Sequence, residues 1–471
     1  MRCSISPSRS EPKLLRPWRV EKRRLGAAVV GVLVALSAAP AAGQGFVGET
    51  RCANPTCHGA ALPSAPLDDS KGCKEKYAGT DWRPWKSART QWLNRNIDRH
   101  SRAFATLTTD DGKRIAGYMG IDATTSDKCL VCHAPPAPLA AGSKHQKQDG
   151  VSCEQCHGPA EAWLEPHKAT DWPQKRAQYA SLGFYDNRDF HARAEKCASC
   201  HVEIDHEIIA GGHPPLQFEM VAYAQVMKHW DDCKEHPTAN PDPTLWSIGQ
   251  IVGLRHAAAA IARRAGGSNY QSLGEFEHFK GQNCYQCHHK LVDDATRQAQ
   301  GHVDMADIVL GTLYPDSQAE LAARWKGVLA ATQSGAAQAE QRAGDLRAWL
   351  EPFPARLADK PIDQATAKRM LCRMVAGGPD VARLRRFAAS RPPNSNVLRL
   401  QEVGLPWWYT TGTREQIALG LQALCPPAVG NQKCATITPD LRKLVAASNR
   451  AESDPADFAA ALAAIKAKLC T

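Results

Sequence analysis

The stretch CEQCHGPAEAWLEPH, Cys153 to His167, decides how this chain is read. Two cysteines are separated by two residues, a histidine follows at once, and a second histidine closes the stretch. The same spelling recurs as CLVCH (Cys129, Cys132, His133), CASCH (Cys197, Cys200, His201) and CYQCH (Cys284, Cys287, His288). C-x-x-C-H is the attachment motif of c-type haem. The chemistry needs that order: two thiols bond to the vinyl-derived edges of a porphyrin, and the adjacent histidine turns under the ring toward iron. A zinc site would take four ligands from paired half-motifs, with no histidine required after each pair. A thioredoxin-like dithiol has no such requirement either and would not recur four times.

A fifth site is expected at CANPTCHG, where Cys52, Cys57 and His58 carry the pattern with four residues between the cysteines. The longer loop still brings both sulfurs to one ring. The alternative is that Cys57 and His58 are a fragment and Cys52 forms a disulfide. Five covalent haem c groups are the central expectation.

The chain has 471 residues, 17 cysteines and 17 histidines. Residues 1–43 have the order of an export signal: a basic segment, the apolar run LGAAVVGVLVALSAA, then small residues from Ala39 to Gly43. The apolar run is short for a spanning helix, and a retained anchor is the alternative. Export to a periplasmic compartment suits covalent haem, which is attached after the unfolded chain has left the reducing cytoplasm. The signal holds eight of the basic and two of the acidic residues, so removing it lowers the formal charge from +10 to +4. That charge, without a basic patch, excludes nucleic acid as a partner.

Each iron has a second axial position, which separates electron transfer from chemistry at the metal. CEQCHGPAEAWLEPH, CASCHVEIDHEIIAGGHPPLQFE, CYQCHHKL and the upstream NIDRHSRAFATL together resemble the multihaem cytochromes related to cytochrome c-554 and hydroxylamine oxidoreductase, over roughly residues 50–300. The resemblance implies closely stacked haems ligated mostly by two histidines. It assigns far-side roles to His100, His167, His213 and His289. His167 then caps an iron that is its own motif's or a neighbour's. His100 falls in a stretch where Trp92, Ile97, Phe104 and Leu107 recur at helical spacing, so a helix is expected to present it. His213 lies in AGGHPP, where glycines permit close approach and Pro214 stops a helix. For the fifth iron His278, His206 and His145 are candidates, or the position is open; Met119, Met220 and Met227 are weaker ones.

The fold class expected is mainly α with long loops. A multihaem core packed around stacked haems spans 44–310, and a helical C-terminal domain follows at 315–471. In the latter, TREQIALGLQAL has Thr413 and Gln416 in capping-box spacing, and DPADFAAALAAIKAKLC places Pro455 at a first helical position. Its cysteines are expected to pair as Cys425–Cys434 and Cys372–Cys470, leaving Cys73–Cys233 in the haem region. The aromatic cluster LPWWYTTG, residues 405–412, is expected to be core or domain contact.

The function expected is a periplasmic relay of single electrons between redox partner proteins. Membrane contact is expected only through such a partner or a retained N-terminal segment. The competing expectation is an oxidoreductase acting on a small nitrogen or sulfur compound at one open iron. No C-x-x-C-K motif of the kind used by pentahaem nitrite reductases is present. In a third possibility the C-terminal domain is a docking module.

Overall fold

The computed structural model describes residues 44–59, 85–86, 98–202, 204–205, 207–208, 211–214, 216, 218–226, 240–266, 291–376, 411–448 and 455–470. Residues 1–43 (expected to be an export signal), the Cys284–His289 segment, Cys73, Cys233, His206, His278, Met227 and most of LPWWYTTG lie outside them. The protein is mainly α. Among the described residues, β pairing is limited to one bridge between Phe46 and Leu139. No helix among them is long and apolar enough to cross a membrane.

The first half is short helices joined by loops. Helix α1 is Asp110–Met119, α2 is Asp127–His133, α3 is Cys153–His157 and α4 is Phe190–His201. Local chemistry fixes their ends. Thr109 accepts from the Gly112 N–H at the start of α1, two aspartates occupy its first turn, and Gly120 closes it at φ 64°. Asp189 accepts from the His191 and Ala192 N–H groups and so caps α4. The apolar clusters here are small: Phe104, Leu107, Ala116 and Leu130 form one, and Ala160, Trp163, Leu164 and Trp172 another.

The second half is a helical bundle. Helices α5 (Met220–Val226), α6 (Asp242–Gly266), α7 (Leu291–Leu313), α8 (Pro315–Ser334) and α9 (Ala336–Leu350) are followed by α10 (Phe353–Ala358) and α11 (Gln364–Ala376). After them come α12 (Thr411–Val429), α13 (Thr438–Ser448) and α14 (Pro455–Leu469). Leu245, Trp246, Ile248, Ile251, Leu254 and Ile261 of α6 are fully buried. A helix apolar on so many faces belongs at the centre of a bundle, and α6 packs on α4, α7, α9, α10 and α12. Through α4, the bundle core reaches the helix that ends in Cys197, Cys200 and His201.

Two local expectations are corrected. His100 does not ride a continuous helix: Asp98 accepts from the His100 N–H and starts a 3₁₀ turn, Arg99–Arg102, ahead of a helical turn Ala103–Thr106. Thr413 and Gln416 do not form a capping box, because α12 begins earlier, at Thr411. Thr413 instead donates to Asp304, and Gln416 to the Phe218 carbonyl. Pro426 and Pro427 lie inside α12, and Gly430 at φ 84° follows its end. Cys372 is bonded to Cys470, and Cys425 to Cys434.

Candidate functional site

Each described C-x-x-C-H motif is the last turn of a helix. Cys129, Cys132 and His133 end α2; Cys153, Cys156 and His157 are α3; Cys197, Cys200 and His201 end α4. Positions i, i+3 and i+4 share one helical face, so each turn offers two sulfurs and an imidazole to the same side. The eight cysteines of these motifs and of CANPTCHG are free. In CANPTCHG, Asn54 makes the extra length compact: its side chain accepts from Thr56, and its carbonyl accepts from the Cys57 and Gly59 N–H groups.

Histidines distant in sequence face one another across this array. The ring of His58 lies 6.3 Å from that of His167, with planes 18° apart. His201 lies 6.2 Å from His100 at 81°, and His133 lies 6.3 Å from His213 at 78°. Imidazole nitrogens bind first-row transition metals at about 2.0–2.1 Å. Two of them across one metal are then about 4 Å apart, and each ring centre lies about 1.1 Å behind its nitrogen. The sum is about 6.2 Å, so all three pairs have the spacing of a shared axial metal.

The other ring nitrogens are tied in a way that leaves one lone pair for a metal. His133 Nδ1 lies 2.7 Å from the Ala103 carbonyl, and His213 Nδ1 lies 2.8 Å from that of Pro214. His167 Nδ1 bonds to the Leu164 carbonyl, and His100 Nδ1 lies 2.7 Å from Asp98 Oδ1. Carbonyls and carboxylates only accept, so Nδ1 carries the proton and Nε2 is the free ligand atom. Burial lowers His133 and His167 and takes His201 down to about 4, favouring the neutral imidazole a metal needs. His100 moves the other way: burial opposes its charge, but the charge and hydrogen bond of Asp98 outweigh it.

The residues fit haem c rather than a bare ion. The donors are paired histidines flanked by cysteine pairs, and no group of three or more His, Cys, Asp or Glu side chains converges on an ion site among the described residues. The motifs are also close together: Cys52 and Cys153 lie near enough for each thiol to shift the other's titration, and so do Cys132 and Cys200. Cys156 is close enough to Cys197 to feel its charge.

Glu154, one of the unspecified residues of its motif, holds two motifs together. Its buried carboxylate accepts from the N–H groups of Val47 at 2.9 Å, Gly48 at 2.8 Å and Ala160 at 2.8 Å. Burial raises its pKa, and those three bonds oppose the rise. The clamp fixes the chain that leads into Cys52 against the turn that carries Cys153. Ser152 and Gln155 close the same turn with a capping box. Spacing alone did not single out these residues.

Among the sequence candidates, His167 faces His58 rather than its own motif's His157. His213 and His100 face His133 and His201. His145 packs its ring edge-on to Phe46, with Nε2 3.4 Å from the Gln155 amide. Met220 is buried in the bundle core, and Met119 lies against Gly211. Cys284, Cys287, His288 and His289 fall outside the described residues.

Motif turns with histidines facing one another define a c-type cytochrome. Residues 86–158 match the family described as cytochrome c554 and c-prime, and the chain resembles that group. No curated protein and no solved structure matches the chain. Covalently bound haem c and a role in electron transfer or oxidoreduction follow from this resemblance.

Proposed function

We propose that the protein is an exported cytochrome with five haem c groups that passes single electrons between redox partner proteins in the periplasm. The observation that carries this reading is the common 6.2–6.3 Å spacing of the three histidine pairs. Histidine on both faces of an iron favours electron transfer, because no coordination position is left for a substrate.

The roles follow residue by residue. Cys52 and Cys57, Cys129 and Cys132, Cys153 and Cys156, Cys197 and Cys200, and Cys284 and Cys287 anchor the five groups. His58, His133, His157, His201 and His288 are the near-side ligands. His167 caps the His58 site, His213 the His133 site and His100 the His201 site, while His289 is a further far-side ligand. Bound haem supplies one-electron redox chemistry at low potential, since two histidines give a lower potential than a histidine and a methionine. The chain favours the neutral form of His133, His167 and His201, fixes ring orientation through Nδ1 partners and brings neighbouring motifs close together. Electrostatic proximity runs from Cys52 to Cys153, from Cys156 to Cys197, and from Cys200 to Cys132. The spatial order of these sites therefore differs from their order in sequence.

The test is intact mass of the exported protein together with carbon monoxide binding to its reduced form. Five attached haems with at most one binding carbon monoxide support the relay. Stoichiometric binding combined with turnover of hydroxylamine or nitrite would replace it with an oxidoreductase acting at an open iron.

A further inference from the structure

Of the far-side histidines with a defined Nδ1 contact, His167 and His213 bond to backbone carbonyls and His100 bonds to a carboxylate. Asp98 makes two bonds to the same residue: Oδ1 accepts from the His100 backbone N–H at 3.0 Å and lies 2.7 Å from its Nδ1. The side chain of Asp98 is 17% exposed, so solvent screens its charge only in part. Its field also reaches Cys153 and Cys156 at the adjoining motif.

We infer that Asp98 is a positioning and tuning residue, which fixes the ring of His100 and makes the haem held at Cys197 and Cys200 the most reducing of the three sites with paired histidines. The inference rests on the ligand assignment proposed above. A carboxylate accepting the Nδ1 proton pushes electron density onto the imidazole and makes it a more basic ligand. Oxidised iron carries one more positive charge than reduced iron, so both the richer ligand and the nearby negative charge favour the oxidised state. A backbone carbonyl, as at His167 and His213, supplies the orientation without the full charge. An electron therefore rests least readily at the His201–His100 site, between the Cys156 and Cys132 neighbours that flank it.

Asp98→Asn isolates the effect, because asparagine keeps an oxygen that accepts from the backbone N–H and from Nδ1 while losing the charge. Spectroelectrochemical titration of the fully haem-loaded protein reads it. The lowest of the potentials of the three paired-histidine sites moves upward, the Cys153–Cys156 site moves less in the same direction, and the count of low-spin haems is unchanged. His100→Ala, measured alongside, converts one low-spin haem to high-spin. If His100→Ala makes that conversion but Asp98→Asn leaves every potential in place, the tuning role is wrong and the ligand assignment stands. Loss of a low-spin haem in Asp98→Asn reduces Asp98 to a structural cap and also overturns the tuning role. If His100→Ala leaves the low-spin count unchanged, His100 is not a ligand, and the assignment and the inference fall together.

Discussion

His167 follows Cys153–His157 closely in sequence, yet its ring lies beside that of His58, 6.3 Å away and within 18° of parallel. The histidine of one motif is thus faced by a histidine from the segment after another. His100 with His201 and His213 with His133 repeat the arrangement. Such crossing requires that neighbouring motifs stay in register, which is the part Glu154 plays.

Removing a far-side ligand should open one iron. His213→Ala should turn one low-spin haem into a high-spin, carbon monoxide-binding one and leave the others as they were. An optical spectrum unchanged in both oxidation states would remove His213 from the ligand set.

Glu154→Gln should loosen the N-terminal segment without unfolding the rest. The amide replaces an acceptor oxygen with a donor that faces N–H groups, and an unsatisfied buried group costs about 1–3 kcal/mol. Limited proteolysis should cut residues 44–59 faster in this variant, while helical circular dichroism from the bundle is retained. Equal cutting rates would show that the clamp is dispensable.

The bundle should have a pH dependence of its own. Burial pushes Asp304 up to about 7, against the hydrogen bonds from Gln300 and Thr413. In the unfolded chain an aspartate titrates near 3.9. Between those values the folded state holds the proton that the unfolded state has released. Stability is therefore fullest below about pH 4, falls as pH rises and levels off above pH 7. Asp304→Asn should flatten that slope, seen by denaturant unfolding at several pH values. An equal slope in the variant would place the titrating group elsewhere.

The two bridges should stabilise the bundle unequally. Cys372–Cys470 spans 98 residues and Cys425–Cys434 spans 9. The longer loop gains more from closure, with a typical bridge contributing about 2–4 kcal/mol. Cys470→Ser should lower the denaturant midpoint of the helical signal more than Cys434→Ser, with the haem spectrum intact. Free thiols at all four positions under non-reducing conditions would contradict both bridges.

The C-x-x-C-H turns were legible because the motif sets its residues at fixed short spacing. The helical character of the second half was legible from its alanine-rich stretches and from Pro455 at the start of α14. The pairing of histidines was not, since it joins segments separated by loops whose path no local pattern dictates. His100 shows the limit most clearly. Helical spacing of Trp92, Ile97, Phe104 and Leu107 suggested one continuous helix, but Asp98 intercepts the His100 N–H and begins a new turn. The same aspartate then reaches Nδ1, a contact that a two-residue offset does not reveal. Asp304 and Thr413 meet only through the packing of α7 on α12.

The most direct test of the paired-histidine account is electron paramagnetic resonance of the fully oxidised protein. The angle between two axial imidazole planes governs how nearly degenerate the iron d orbitals remain. Near-parallel rings lift the degeneracy and give a rhombic low-spin signal, and near-perpendicular rings leave a strongly anisotropic one. The planes at 18° for His58–His167, and at 81° and 78° for His201–His100 and His133–His213, predict one rhombic and two strongly anisotropic low-spin signals from these sites. At most one haem in the whole protein should be high-spin. A spectrum dominated by high-spin iron, or lacking the anisotropic signals, would contradict the pairing.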